Sequence, residues 1–573
     1  MAASRSSERN AREIYEMKQR AVKFYRENQV PEKIEDILNA MFHENPDDIY
    51  GRLSEYFESL AKPGTISKLV SRLVLDSKGQ PTVQCEVHCI VKGVERHLST
   101  SSVASHNTLA ESAPIERKEA DDLERLQFVE AAIEYINGPL CEKIKGLDPT
   151  NQKEIDSLIC ETLEQLKAEH EERERKLKEE QAEEETPQQQ KEPVKEEKSS
   201  PKAKKKGSAK SAAVVAEEPK EQFFVGCNSI CALSQSVLQT AATLKKVQLF
   251  EYVASLRYNE APDKYRLPLP MASILNFGKA AACKLNLFKE VMIMPKPDKP
   301  LSEAIKQISD IYNQVGKTLF TKYGVAVKNV NDLGCFIPAY DKPEQALDVL
   351  QESITQLGFT PGEDFHIVLN CAAHEMFDMD KGKYEMVTGV FKGPDDMVEV
   401  YNDLVTRYPA IIAIIDPLKR QDSEPWLKLC EKLSEKCYII GGHVYPRTER
   451  FLQEGFGDVK SSAVVLKQQQ MTSVSDTIDA VKFLEGEGLD SVISCVQGES
   501  GDSSIADLAV GMGSKFIQIG APCRGERVCN YNRLLQIESW LKDKDALSYY
   551  ESHEFPNILP PPPPEEPVDE VDN

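Results

Sequence analysis

Eight short apolar runs in the C-terminal half of the chain constrain its fold more than any other feature: "SILNF", "VMIM", "FHIVLNC", "AIIAIID", "CYIIGG", "SAVVLK", "DSVISC" and "FIQIG". Between most of them lie stretches with helical spacing, such as "MVEVYNDLVTRY", "EPWLKLCEKLSE", "SVSDTIDAVKFLEGEG" and "SSIADLAVGMG". Apolar strands alternating with amphipathic helices predict a parallel sheet buried under helices. About eight strands favour closure into a barrel over an open sheet, and chemistry in such barrels sits where strands end. The run "YPAIIAIIDPLKRQD" stops at Asp416-Pro417, which puts that acid on the functional face by position.

The remaining sequence bounds the class of protein. At 573 residues the chain exceeds one compact core, so two or three domains with linkers are expected. A net charge of -23 opposes a polyanionic partner, which argues against nucleic acid. The start, "MAASRSSERN", has no apolar signal segment, and no run approaches the ~18 apolar residues that span a bilayer. The fourteen cysteines are scattered; Cys85/Cys89 and Cys227/Cys231 lack zinc-knuckle or redox spacing, and a reducing cytosol is the simplest setting.

Composition shifts mark the segments. Residues 168–222 carry almost no large apolar side chains and read as a charged helix fraying into disorder. Residues 546–573 end in "LPPPPPEEPVDEVDN", a polyproline run and an acidic stretch, and read as a disordered tail. Within residues 1–62, Ile34, Ile37, Leu38, Met41 and Phe42 form one helical stripe. A second helix follows, with Asn45 as its cap, Pro46 in its first turn, and Ile49, Leu53, Tyr56, Phe57 and Leu60 as its stripe. This hairpin resembles the RIIa/Dpy-30 dimerisation and docking module, which implies a groove accepting an amphipathic helix from an anchoring protein.

"VLDSKGQPTVQCEV", "KYGVAVKNVNDLGCF" and "IADLAVGMGSKFIQIGAPCRGERVCNYNRLLQIE" resemble enolase, the lyase that dehydrates 2-phosphoglycerate to phosphoenolpyruvate. The resemblance implies an α/β architecture: an α+β capping domain over 65–265, interrupted by the charged insertion, then an eight-stranded β/α barrel over 266–545. It also implies a lysine base and magnesium held by three acids at three strand ends, since abstracting a proton beside a carboxylate creates extra negative charge. The matching positions here are Asn370, Ile415 and Gly442. With roughly 4 kcal/mol per close charge pair at an effective dielectric of 20, three lost carboxylates leave tight magnesium binding without support. No cofactor is therefore expected, and magnesium only if the chain is an active enzyme.

Three positions match functional residues of the family: Lys467 the proton acceptor, Glu290 an acid of the substrate site, and Ser105 the serine of the mobile loop. Others do not match. Leu333 stands for the general acid with Asp332 beside it, Ala280 for a substrate histidine, Cys495, Val496 and Gln497 for a substrate-binding His-Arg-Ser, and Gln518 for a second lysine. Leucine cannot donate a proton and valine cannot clamp a phosphate. Lys467 also loses cations that would lower its pKa. Lys279, Lys284 and Lys289 flank the first two strand ends and could supply charge to a small anion bound without metal, but their spacing is no phosphate motif and they read as surface residues.

Two functions stay open. One is a structural or docking protein with a degenerate site, cytoplasmic and placed by the resemblance in cilia or sperm flagella, pairing with itself or with an active enolase. The other is an active phosphopyruvate hydratase using Lys467.

Overall fold

The computed structural model describes residues 2–104, 115–184, 224–279, 281, 283–325, 329–445, 452, 455–457, 459–467 and 470–559. The chain divides into two units: residues 1–64 with 90–94, and the remainder.

In the first unit three helices form, not two: Ala2–Glu27, Val30–Glu44 and Ile49–Leu60. Asn45 ends the second helix at φ 47 instead of capping the third. Asparagine tolerates this left-handed turn, and Pro46 cannot continue a helix. The third helix is capped by Asp48, whose carboxylate accepts the Gly51 amide at 2.8 Å. Gly51 leaves room for that carboxylate, which a Cβ at this position would push aside. Ile37 and Met41 are buried, while Ile34, Leu38, Phe42, Ile49, Phe57 and Leu60 stay exposed, so the expected stripes are only partly covered.

In the second unit the strands Thr65–Leu75, Pro81–Val91 and Val94–Val103 form a three-stranded sheet in sequence order. Helices Ile115–Tyr135, Gln152–Glu184, Cys231–Lys245 and Leu249–Tyr258 complete this capping domain. The helix running to Glu184 takes in the first part of the charged segment expected at 168–222; residues 185–223 lie outside the described residues.

The barrel uses all eight predicted runs. Leu269–Pro270 and Ala272–Asn276 are two pieces of strand one; the others are Glu290–Pro295, Phe365–Asn370, Ile411–Ile415, Tyr438–Gly441, Ala463–Lys467, Asp490–Ser494 and Phe516–Gln518. Closure comes from strand eight pairing with Leu269–Pro270. The sheet is not wholly parallel, as the alternation suggested: strand two runs antiparallel to both neighbours. Only residues 277–289 join strands one and two, which leaves little room for a crossover helix. This reversal matters for the site. Glu290 starts its strand, yet it faces Asn276 and Asn370, the last residues of strands one and three.

Inside the barrel Met271, Met292, Val368, Ala413, Ile415, Ile440, Val465 and Phe516 build one apolar column. Tyr550 and Phe555 pack on its lower end. Residues 546–559 are thus not a free tail. Leu547–Ser548 pairs with Tyr265–Arg266, the Tyr438 hydroxyl donates to the Glu554 carbonyl at 2.7 Å, and Ile558 is buried. These aromatic and aliphatic anchors recover apolar burial that the proline-rich composition further on does not suggest. Residues 560–573 lie outside the described residues.

Candidate functional site

Register fixes a ring of side chains at one end of the barrel. Ile415 pairs with Asn370 and with Ile440, and Lys467 pairs with Ser494, which pairs with Gln518. The sequence-derived candidates Glu290, Asn370, Ile415, Gly442, Lys467 and Gln518 therefore share the rim where strand ends meet. Ser105 and Ala280 lie outside the described residues.

At the three metal-ligand positions the structure offers little to a hard cation. Asn370 donates its amide to Glu290 at 2.9 Å. Ile415 is 2% exposed and belongs to the interior column. Gly442 has no side chain, and a Cβ there would come within 3.0 Å of Asp416 Oδ2. Asp416 itself is taken up by backbone amides. At φ 47 it sits in the left-handed region, and its carboxylate accepts the amides of Gly442 at 2.8 Å and His443 at 2.9 Å, with Val444 at 3.4 Å. This acid ties the end of strand four to the loop after strand five. Magnesium requires several oxygens converging on one point. Among the described residues no group of three His, Cys, Asp or Glu side chains is arranged to hold a metal. The site residues do not fit magnesium.

The remaining rim groups are satisfied by one another. Glu290, 4% exposed, accepts from Ser273 Oγ at 2.7 Å as well as from Asn370. Lys289 is not a surface residue; its ammonium pairs with Glu375 at 2.5 Å. His374 and His443 stack with ring centroids 3.7 Å apart. Burial, and then His443, hold the His374 imidazole down at about 3, so it is neutral at physiological pH. Gln518 accepts from Ser494 Oγ at 3.2 Å and turns its amide toward Met292 Sδ.

Lys467 is half-buried, and no carboxylate among the described residues lies within ion-pair distance of it. Burial lowers its pKa; Asp416, Glu290 and Glu375 oppose this, and Lys289 adds to it. The lowering does not need the family's lost cations, because burial is its first cause. A lowered pKa is the direction that a proton-accepting lysine requires. Among the described residues no acid stands at the family's general-acid position. Leu333 is buried, and Asp332 is turned to Lys78 of the capping domain at 3.2 Å.

The loop after strand seven is rebuilt as a latch. Cys495 accepts from Arg527 at 2.9 Å, Gln497 offers Arg527 its carbonyl at 2.5 Å, and the Val496 amide donates to Glu499 Oε1 at 2.7 Å. Arg527 is fully buried. The Ser77 amide donates to the Glu499 carbonyl at 2.8 Å, and Ser101 Oγ donates to Asp502 at 2.8 Å, so capping domain and loop are fastened together. Burial raises the Glu499 carboxyl to about 7, against the pull of Arg527. Sequence reasoning missed Glu375, His374 and Glu499, and read Lys289 as a surface residue. Only the lysine carried a signal, standing directly before Glu290 at the start of a strand.

The fold and the rim together define a capped β/α barrel with its site residues at the ends of strands. The chain belongs to the enolase family: the enolase N-terminal domain matches residues 66–171 and the enolase C-terminal TIM barrel domain matches residues 264–555. "Enolase 4" of Xenopus laevis is 37% identical over 96% of this chain and 96% of its own length. "Enolase 4" of Mus musculus is 37% identical over 95% of this chain and 92% of its own length. "Enolase" of Thermococcus kodakarensis is 29% identical over 87% of this chain and 99% of its own length.

Proposed function

We propose that this chain is an enolase-family protein with a degenerate magnesium and 2-phosphoglycerate site, serving as a structural or docking component linked to glycolytic machinery in cilia or sperm flagella. The observation that carries this is the state of the three ligand positions: an amide already bonded to Glu290, a packed isoleucine and a glycine backed by Asp416. Forming an enediolate without a divalent cation is too costly, and no acid faces the leaving hydroxyl at position 333. Support for docking is the exposed apolar set of the N-terminal helices, led by Phe42 and Tyr50 at 82% and 83% exposure. That set suits an amphipathic helix of an anchoring protein; pairing with a second copy or with an active enolase belongs to the same reading.

The test is direct. Purified full-length protein with millimolar magnesium and 2-phosphoglycerate is expected to produce none of the ultraviolet absorbance of phosphoenolpyruvate. Turnover that Lys467→Ala abolishes would sink this reading. The second reading, an active phosphopyruvate hydratase, is favoured by one observation, the lowered pKa of Lys467 near Glu290.

A further inference from the structure

Among the described residues the barrel rim carries the carboxylates Glu290, Glu375 and Asp416, and the structure accounts for each of these without a metal ion. Asp416 has backbone amides on both oxygens, and Glu290 has Ser273 on one oxygen and Asn370 on the other. Glu375 has Lys289. Backbone pairing fixes the lysine's place: its amide donates to the Asn370 carbonyl at 2.7 Å, and its carbonyl accepts from Phe277 at 2.9 Å. Its side chain therefore leaves the rim beside the first of the former ligand positions. The ion pair is only partly open to solvent, at 24% and 22% side-chain exposure, so screening by salt is incomplete.

We infer that Lys289 is an internal cation of the rim, which balances Glu375 and bars a divalent ion from the positions where the family binds one. A fixed ammonium beside position 370 repels a divalent cation twice as strongly as a monovalent one at equal distance. The pair with Glu375 also occupies a rim carboxylate that could otherwise bind a cation. The loss of metal is thus a replacement of one charge by another, and reverting positions 370, 415 and 442 alone would leave the lysine in the way.

This rests on the proposed metal-free reading of the rim, and the two fail separately. Turnover of 2-phosphoglycerate decides that reading, whereas the magnesium response of a Lys289 variant decides this one. The experiment compares melting temperatures of the full-length wild type and Lys289→Gln, with Lys284→Gln as an exposed-lysine control, in millimolar magnesium chloride and in sodium chloride of equal ionic strength. Wild type and Lys284→Gln are expected to be indifferent to magnesium. Lys289→Gln should melt about 2 °C lower in sodium chloride, with Glu375 left unbalanced, and regain part of that loss in magnesium. A double variant, Lys289→Gln with Glu375→Gln, removes both charges, folds without a stranded carboxylate, and should ignore magnesium. A wild type stabilised by magnesium, a Lys289→Gln protein that magnesium leaves unchanged, or a responsive double variant would each overturn the inference.

Discussion

The two ends of the barrel solve the same problem in opposite ways. At the rim, the end that carries chemistry in the family, acids are buried and satisfied by amides, hydroxyls and lysine. At the other end an aromatic plug closes the column: Phe555 lies 4.5 Å from the Tyr438 ring, and His553 meets His366 at 4.8 Å. The rim buries groups that are charged in water, and the plug buries imidazoles that must remain neutral. The lesson is that a site can lose its ligands while the charge that surrounded them is redistributed into the scaffold.

The strongest way to break this comparison is at Asp416. If it is a structural tie and not a spare ligand, Asp416→Ala strands two or three backbone amides in the interior. Each charge-assisted hydrogen bond lost there is worth roughly 1.5–3 kcal/mol, so a destabilisation of about 3 kcal/mol is expected by chemical denaturation. A change below about 1 kcal/mol would show the amides to be solvated and the tie unimportant.

Much of this was legible in the sequence. The eight apolar runs became eight strands because a buried strand needs little beyond apolar length. The rim positions followed from the matched segments. Direction was harder to read. Nothing in "AIIDPL" reveals that the Asp416 carboxylate is taken up by backbone amides, since that depends on a left-handed φ and on amides from a loop 26 residues later. The reversed second strand was missed because VMIM has no polarity of its own; the shortness of the 277–289 link was the available clue. Residues 546–559 were hidden by the composition beyond them, although Tyr550, Phe555 and Ile558 are ordinary anchors.

Glu499 sharpens the comparison from the rim side. Its carboxyl is raised above the value of an unfolded chain to about 7. The folded state therefore holds a proton that the unfolded state has already released; the associated stability is full below about pH 4.5 and is lost as pH rises through 7. Its side chain is 12% exposed, so little solvent discount applies. Between pH 5 and 8 the wild type should lose about 2 kcal/mol relative to Glu499→Gln, which keeps the acceptor for the Val496 amide without the charge. Parallel pH profiles for the two proteins would remove the latch from the account.

The plug should show the opposite sign and the smallest effect. Burial, with His366 and Lys515 adding to it, lowers His553 to about 3, while burial alone lowers His366 to about 4. An unfolded chain takes up these protons near pH 6.5 and the folded one does not, so stability is present above that value and is lost as pH falls toward the folded pKa. His553 is partly exposed, which cuts the effect to about 1 kcal/mol between pH 7 and 5. His553→Phe keeps a ring against Tyr438 and should remove that share of the acid sensitivity, leaving the parts due to His366 beside it and to His374 at the rim. Denaturation midpoints of the variant and the wild type should converge above pH 7 and separate below 6. A variant that stays as acid-sensitive as the wild type would mean that the plug opens before its histidine titrates, and the two ends would then differ in packing strength and not in the charge they bury.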